Sequence, residues 1–242
     1  IWVMTNAGIA YWDVQEHQFI EFPFDLKQIN IENYVDTQML VSKAGIVWIV
    51  DGKSLHALNS VSGKVQSYSY SDVIDSQVEF VERRYNMFED STGNIWFANA
   101  QYVYQFDTSQ KRFRDYIFPE ITLETIQCIF EDSSGTLWLC GGNQSGLWYY
   151  DKALDQFIRV GADSTNPLDV NIKTAISIYQ DRSGILWIGS HETGVYKLDQ
   201  RAIQFDLYRH NPNDPNSLST NYIYSIYKDR EGILWVGGDD GV

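Results

Sequence analysis

The stretch Asp181–Asp199, DRSGILWIGSHETGVYKLD, contains the pattern on which the rest of the chain is built. Similar stretches begin at Asp229 (DREGILWVGG), Asp132 (DSSGTLWLCGG), Asp90 (DSTGNIWFANA) and, with serine replacing the acid, at Ser42 (SKAGIVWIV). The chain itself opens inside another copy, IWVMTNAGIAYWD. Internal repetition at a nearly constant period has to be identified first, because it decides the fold class.

Two markers fix the register of the repeat. The first is a tryptophan three residues after a glycine, with consecutive tryptophans 42 to 49 residues apart; the set is Trp2, whose glycine would precede the chain, then Trp48, Trp96, Trp138, Trp187 and Trp235. The second is an Asp or Asn followed six residues later by an apolar residue. These pairs are Asp13/Phe19, Asn59/Val65, Asp107/Phe113, Asp151/Phe157 and Asp199/Phe205. Because both markers recur in successive repeats, we interpret them as architectural.

Each period contains four short runs rich in β-branched and aromatic residues and bounded by Asp, Gly and Ser. In one unit they are Thr174–Gln180, Ile185–Ser190, Val195–Leu198 and Ile203–Tyr208. Four antiparallel strands in each repeat of roughly 40–50 residues are typical of a β-propeller blade. The sequence therefore predicts an all-β propeller with the tryptophans on second strands, between neighbouring blades. The glycine and acid of D-x-x-G are predicted to form the first hairpin turn.

About five blade periods are present. Residues 1–33 are predicted to be the end of one blade and residues 222–242 the start of a further one, with full blades between them at 34–80, 83–118, 125–160 and 172–208. Both the first and the last copy contain a second strand, so the two ends duplicate each other. We therefore expect the chain to be a segment of a larger propeller.

Composition excludes several function classes. The chain has 242 residues, with 32 acidic residues against 18 Lys and Arg and a net charge of −14, which argues against binding to nucleic acid or to an anionic membrane. It has no apolar run of the length that a membrane-spanning helix needs, so no membrane span is expected in this segment. No signal peptide is visible in a chain that begins within a repeat.

The two cysteines, Cys128 and Cys140, are predicted to face each other on the first and second strands of one blade. They could form a disulfide or remain as buried free thiols. Free thiols are favoured here because direct cross-strand disulfides are uncommon and the matching positions, Ser177 and Ala98, hold small residues. No cluster of Cys and His suggests a metal site.

We expect no catalytic residues, metal or cofactor in this segment. The four histidines fall at different phases of the repeat, and the motifs H-E-x-x-H and G-x-S-x-G do not occur. Acidic pairs such as Glu89/Asp90 and Glu131/Asp132 recur at the exit of first strands. They are therefore interpreted as turn residues and not as acid–base pairs.

Candidate ligand-binding residues lie in the loops that join second to third strands. These loops are expected on the same face as the blade-to-blade connections, where a repeating frame leaves loops free to carry binding residues. The candidates are Asn99, Gln101, Asn143, Gln144, His191, Glu192 and Asp239. Such side chains can donate to or accept from sugar hydroxyls, although solvated loop residues with no ligand contact are the alternative.

The pattern D-R-S-G-I-L-W-I-G…G-V-Y-K-L-D, with N-P-N-D-P-N-S-L-S-T-N-Y-I-Y-S-I-Y before the next copy, resembles the two-component regulator propeller repeats. The resemblance is sharpest for residues 172–242 and 125–151. It implies seven-bladed propellers in the sensor region of bacterial hybrid two-component systems. Such sensors are periplasmic parts of proteins anchored in the inner membrane, and they respond to oligosaccharides.

The same resemblance implies the partners: an oligosaccharide ligand, the remaining blades, downstream signalling domains with a histidine kinase, and a second copy in a homodimer. Two other functions remain open. A protein-interaction scaffold would have the same fold with a different partner. A sialidase- or lyase-like enzyme is suggested by D-x-x-G-x-x-W, which resembles the Asp-box turn of sialidases, but the arginines lie mostly in turns or on outer strands.

Overall fold

The computed structural model describes residues 1–5, 8–22, 37–51, 53–70, 86–99, 102–118, 126–142, 145–161, 172–199, 204–239 and 241. Within these ranges the chain forms 21 β-strands and no helix. In each sheet, strands that are consecutive in the sequence are hydrogen-bonded to each other. The predicted all-β class is thus confirmed. The chain divides into two compact units, Ile1–Asn99 with Val103–Asp115, and Ala100–Tyr102 with Tyr116–Val242.

The first unit contains sheets I and II and most of sheet III. Sheet I consists of β1 (Trp2–Thr5), β2 (Gly8–Asp13) and β3 (Gln18–Phe22). Sheet II consists of β4 (Gln38–Val41), β5 (Ile46–Val50), β6 (Ser54–Asn59) and β7 (Val65–Ser69). Sheet III consists of β8 (Asn86–Glu89), β9 (Ile95–Asn99), β10 (Tyr102–Asp107) and β11 (Arg112–Ile117).

The second unit contains sheets IV, V and VI. Sheet IV consists of β12 (Ile126–Glu131), β13 (Leu137–Gly141), β14 (Gly146–Asp151) and β15 (Gln156–Arg159). Sheet V consists of β16 (Ser177–Gln180), β17 (Leu186–Gly189), β18 (Val195–Asp199) and β19 (Gln204–Tyr208). Sheet VI consists of β20 (Ile223–Lys228) and β21 (Leu234–Gly238).

The acid of D-x-x-G organises the first hairpin of a sheet. Asp90 Oδ1 accepts the backbone N–H groups of Thr92 and Asn94, and Oδ2 accepts the indole N–H of Trp96 at 2.8 Å. Burial alone would raise the pKa of Asp90, but the hydrogen bonds from Thr92, Trp96 and Asn94 outweigh it and hold that pKa below its ordinary value. The same bonds recur in the hairpins that begin at Asp132, Asp181 and Asp229.

The second marker forms the turn between third and fourth strands. Its side-chain oxygen accepts backbone N–H groups from the second and third residues after it, in the turns of Asp13, Asn59, Asp107 and Asp151. The fourth residue after the marker has a left-handed backbone conformation in each turn. These residues are His17, Gly63, Lys111 and Asp155, with φ of 50°, 67°, 56° and 53°. Only one of the four is glycine, although this region favours glycine.

The repeated tryptophans lie on second strands, as predicted. Trp48, Trp96 and Trp138 are buried, and Trp138 packs in one apolar cluster with Leu186 and Tyr196 of the next sheet. Trp235 differs, with 47% of its surface exposed. Trp235 lies on β21, which is the last strand of sheet VI. Sheet VI has two strands among the described residues, and no further described strand covers this side chain.

The cysteines correct one prediction. Cys128 lies opposite Cys140 in the β12–β13 ladder, as expected, but the two sulfur atoms form a disulfide bond, so the preference for free thiols is wrong. Their Cα atoms are 4.9 Å apart, within the range that a disulfide accepts. The small residues at the matching positions, Ser177 and Ala98, do not indicate free thiols, because a disulfide also fits this position between the first and second strands.

The residue before the turn acid connects one sheet to the hairpin of the preceding sheet. Gln180 Oε1 accepts the backbone N–H of Ser133 at 2.7 Å, which joins sheet V to sheet IV. At the same position in sheet VI, Lys228 Nζ donates to Asp181 Oδ2 at 3.2 Å. These contacts confirm that side chains before the turn have an architectural role.

Candidate functional site

Two kinds of loop meet at one edge of sheets V and VI. The loop between β17 and β18 contacts the connection that leads from β19 to β20: Gly194 N donates to Asn221 O at 3.1 Å, and Ile223 N donates to Ser190 O at 2.9 Å. Gly194 has a φ of 94°, and a Cβ atom there would lie 2.1 Å from Tyr208 O. Glycine is therefore required for this approach of the two loops.

A chain of hydroxyl groups holds the β17–β18 loop in place. Tyr196 Oη donates to Thr193 Oγ1 at 2.8 Å, and Thr193 Oγ1 donates to Ser190 Oγ at 2.7 Å. Thr174 Oγ1 lies 2.7 Å from the same Ser190 Oγ, which is fully buried. Because the base of the loop is fixed by buried hydrogen bonds, the exposed residues at its tip have defined positions.

Three aromatic rings come together at this edge. The His191 ring lies 5.3 Å from the Tyr222 ring and 5.7 Å from the Tyr224 ring, measured between centroids. Both tyrosines are nearly half exposed, at 44% and 49%. The ladder shifts register between Ile223 and Ser225, so Tyr224 is the extra residue of a bulge, a feature that re-aims a side chain.

Asp239 completes the group. Tyr224 Oη donates a hydrogen bond to Asp239 Oδ1, and Asp239 N donates to Tyr222 O at 3.3 Å. The hydrogen bond to Asp239 raises the pKa of Tyr224 above its ordinary value, so this phenol remains a donor at neutral pH. We refer to His191, Tyr222, Tyr224 and Asp239 as the loop cluster.

The structure brings together two of the predicted site residues, His191 and Asp239. Glu192 follows His191 and is exposed. Asn99 ends β9, and nothing is described of its side chain. The remaining predicted residues, Gln101, Asn143 and Gln144, lie outside the described residues, so their role stays a prediction.

Tyr222 and Tyr224 are not among the predicted site residues, because both fall at the start of the blade predicted over 222–242 and not in a loop between second and third strands. A signal existed in the sequence. The matching positions one repeat earlier are Thr174 and Ile176, so two aromatic residues at this point depart from the repeat. Departure from a repeating frame is the feature expected of residues that bind something.

An Asp–His–Ser chain in sheet II is a structural feature in our interpretation. His56 Nε2 lies 3.0 Å from Asp51 Oδ2, and His56 Nδ1 lies 2.8 Å from Ser67 Oγ. Asp51 also accepts the backbone N–H groups of Lys53 and Ser54, as a turn residue does. The contacts satisfy both ring nitrogens of a histidine that is 4% exposed, which is a requirement of burial.

The described ranges contain no group of three or more His, Cys, Asp and Glu side chains able to hold a metal ion. No helix in that part of the chain has the length and apolar character needed to cross a bilayer.

The loop cluster has side chains of the kinds that contact ligands. Exposed tyrosine rings offer faces on which an apolar ring face can stack, and His191, Asp239 and the phenol groups can exchange hydrogen bonds with hydroxyl or amine groups. Within the cluster, the carboxylate of Asp239 is hydrogen-bonded to the phenol of Tyr224, whose pKa lies above its ordinary value.

Several solved structures share the fold. The extracellular domain of a B. thetaiotaomicron protein described as a hybrid two component system is 18% identical, with a TM-score of 0.70 over 98% of this chain and 30% of that one. PorZ, a surface component of the type-IX secretion system of Porphyromonas gingivalis, is 17% identical, with a TM-score of 0.66 over 97% of this chain and 35% of that one.

Virginiamycin B lyase from Staphylococcus aureus is 12% identical, with a TM-score of 0.63 over 97% of this chain and 72% of that one. At such identities the likeness shows the β-propeller fold alone. The chain spans only 30% of the length of that extracellular domain. No curated protein matches it by sequence.

The family model of the two component regulator propeller matches two segments, residues 169–192 and 217–240. These segments contain the D-R-S-G-I-L-W-I-G and D-R-E-G-I-L-W-V-G copies together with the residues that lead into them. They also contain all four residues of the loop cluster. Residues 169–192 and 217–240 therefore match the two-component regulator propeller repeat, in a chain that has the β-propeller fold.

Proposed function

We propose that this chain is part of the ligand-sensing propeller of a hybrid two-component sensor, and that it recognises an oligosaccharide. The loop cluster is the observation that carries the proposal. Two exposed tyrosines, a histidine and an aspartate are held on fixed loops, and they depart from the repeat where binding residues are expected. The propeller repeats and the likeness to the extracellular domain of a two-component protein support the same class of function.

The location and signalling follow from that class. We propose that the segment lies in the periplasm as part of a homodimeric protein anchored in the inner membrane. The Cys128–Cys140 disulfide supports such a location, because disulfides persist in oxidising compartments. The ligand would act by binding one conformation of the dimer more tightly than another, since a ligand shifts an equilibrium only through differential affinity.

The test is calorimetric titration of the intact protein against a panel of oligosaccharides. Tyr222→Ala, Tyr224→Ala and His191→Ala should each weaken binding about tenfold, the loss that corresponds to ~1.4 kcal/mol. The matched control is Tyr227→Ala, because Tyr227 is an exposed tyrosine on the same strand, near its other end. Its affinity should be unchanged.

Alanine at Asn143 and Gln144 tests the loop of sheet IV in the same titration. If an oligosaccharide binds and none of the variants weakens it, the site lies elsewhere in the protein. If no oligosaccharide binds and a protein partner does, the chain is an interaction scaffold.

We also propose that the segment has no enzymatic activity of its own. The likeness to a lyase at 12% identity extends to the fold alone, and the phenol of Tyr224 beside the Asp239 carboxylate has a pKa above its ordinary value, which keeps it protonated. Incubation of the intact protein with plant and host polysaccharides should release no new reducing ends and no unsaturated products. Appearance of either, and its loss in a His191→Ala variant, would establish a carbohydrate-active enzyme.

A further inference from the structure

Two acidic side chains, Asp239 and Glu192, lie at the loop cluster. Asp239 accepts its hydrogen bond from the neutral phenol of Tyr224, through one carboxylate oxygen. Glu192 is exposed beside His191, and its hydrogen bond is made by its backbone N–H, to Ser190 Oγ at 3.4 Å. In the described part of the chain, no lysine or arginine pairs with either carboxylate.

The aromatic rings point to the same ligand charge as the acids. Tyr222 and Tyr224 each present about half of their surface next to His191. A tyrosine ring attracts a cation placed over its face within about 6 Å, because its π-system is negative there. Rings and carboxylates together therefore form a surface that is favourable for an ammonium group and unfavourable for a carboxylate or sulfate.

We infer that the ligand of the loop cluster carries a cationic amine, as an amino sugar does, with the ammonium group between the tyrosine rings and the carboxylate of Asp239. The inference rests on the proposed function, which it narrows to one charge class. A charge-assisted hydrogen bond to a carboxylate is roughly twice as strong as a neutral one, so an amine gains more here than a hydroxyl group. The net charge of −14 also draws cations toward the chain from solution.

Three oligosaccharides of matched length test the inference by calorimetry on the intact protein at 0.15 M salt. They are glucosamine oligomers, which are cationic, their N-acetylated counterparts, which are neutral on the same backbone, and galacturonic acid oligomers, which are anionic. The cationic oligomers should bind at least tenfold more tightly than the neutral ones. The anionic oligomers should bind weakest, because the unpaired carboxylates repel them.

Two variants separate the site from the general charge of the protein. Asp239→Asn and Glu192→Gln should each reduce the preference for the amine over the neutral oligomers about fivefold or more. Glu231→Gln is the control, because this exposed acid lies in the hairpin turn at the other end of β20 and β21 and should have no effect.

The inference would be overturned by equal or tighter binding of the galacturonic acid oligomers. The second overturning result would be a preference for the amine that survives both variants. The second result would assign the preference to the net charge of the chain. Absence of binding by all three classes would contradict the proposed function as well. A neutral oligomer that binds as tightly as its cationic counterpart, and depends on Tyr222, would support the function and reject only the amine.

Discussion

Sheets IV and V show two solutions to the same packing problem. At one position between the first and second strands, sheet IV has Cys128 opposite Cys140, joined by a disulfide. Sheet V has Ser177 opposite Gly189, and a Cβ atom on Gly189 would lie 2.5 Å from Ser177 Oγ. The two strands approach closely in both sheets. Sheet IV fills the position with a disulfide bond, whereas sheet V fills it with the hydroxyl group of Ser177 packed against the backbone of Gly189.

The difference has a consequence for stability. Ser177 Oγ is buried and has no hydrogen-bond partner in the described structure, so its desolvation is uncompensated. The disulfide of sheet IV has no such cost and restricts the unfolded chain as well. The repeat therefore conserves geometry at this position and not chemistry, and the two sheets should differ in their response to reduction and to mutation.

The largest effect should come from the tryptophans of the two sheets. Trp138→Ala should lower the free energy of unfolding by about 3–5 kcal/mol, because Trp138 is 6% exposed and packs against sheet V. Trp187→Ala should cost less, about 1–2 kcal/mol, because Trp187 is only partly buried. Denaturant titration measures both.

The pair is matched, because each indole N–H donates to the acid of its own hairpin: Trp138 to Asp132 at 2.8 Å and Trp187 to Asp181 at 3.2 Å. Both variants lose that bond, so the difference between them reports burial. Equal losses would mean that packing between sheets does not distinguish the two positions.

An intermediate effect should come from copying the sheet V pair into sheet IV. The double variant Cys128→Ser, Cys140→Gly should be less stable by about 2–3 kcal/mol, because it removes a disulfide that joins residues 12 apart. A reductant should lower the stability of the parent chain by a similar amount and leave the variant unchanged. If the reductant does not affect the parent chain, the disulfide contributes nothing to its stability.

Copying the cysteine pair of sheet IV into sheet V should not give the opposite change in stability. A side chain at Gly189 would bring a Cβ atom 3.0 Å from Ile223 Cγ2 as well as against Ser177. A cysteine at Gly189 would therefore require the Ile223 side chain to shift before a disulfide with position 177 could form.

The fold could be predicted from the sequence because its signals repeat. The turn acid, the hairpin glycine and the second-strand tryptophan each recur several times at fixed offsets, and each has a local physical role in its hairpin. The left-handed turn position was not predictable in the same way. Gly63 occupies it in one sheet, but His17, Lys111 and Asp155 occupy it in others, with φ between 50° and 56°. At these three positions the surrounding turn imposes a left-handed conformation on residue types that do not indicate it in the sequence.

The candidate site was only partly predictable, since a binding residue is a departure from the pattern and not an instance of it. His191 and Asp239 were found because they lie in loops between second and third strands. Tyr222 and Tyr224 lie at the start of a first strand, and their position beside His191 depends on a bulge and on contacts between two sheets. The disulfide was misjudged for a related reason: the repeat predicts which residues face each other, but not whether they bond.

The smallest effect should come from the contacts that join each sheet to the preceding hairpin. Sheet V contacts sheet IV through a neutral bond, Gln180 Oε1 with Ser133 N–H, whereas sheet VI contacts sheet V through an ion pair, Lys228 with Asp181. Gln180→Met and Lys228→Met should each cost about 0.5–1 kcal/mol at neutral pH and low salt. Only the second cost should depend on pH and salt.

The direction of that dependence follows from Asp181. Burial opposes its ionisation, but hydrogen bonds, first among them that from Trp187 and including that from Lys228, hold its pKa below the ordinary value of 3.8. Its stabilising effect is therefore complete above the unfolded pKa and is lost as the pH falls through the lower, folded pKa. The difference between the parent chain and Lys228→Met should thus shrink toward zero in strong acid and at high salt, while the Gln180→Met difference stays constant. A Gln180→Met cost that tracks pH as closely as the Lys228→Met cost would show that the two contacts are not chemically distinct.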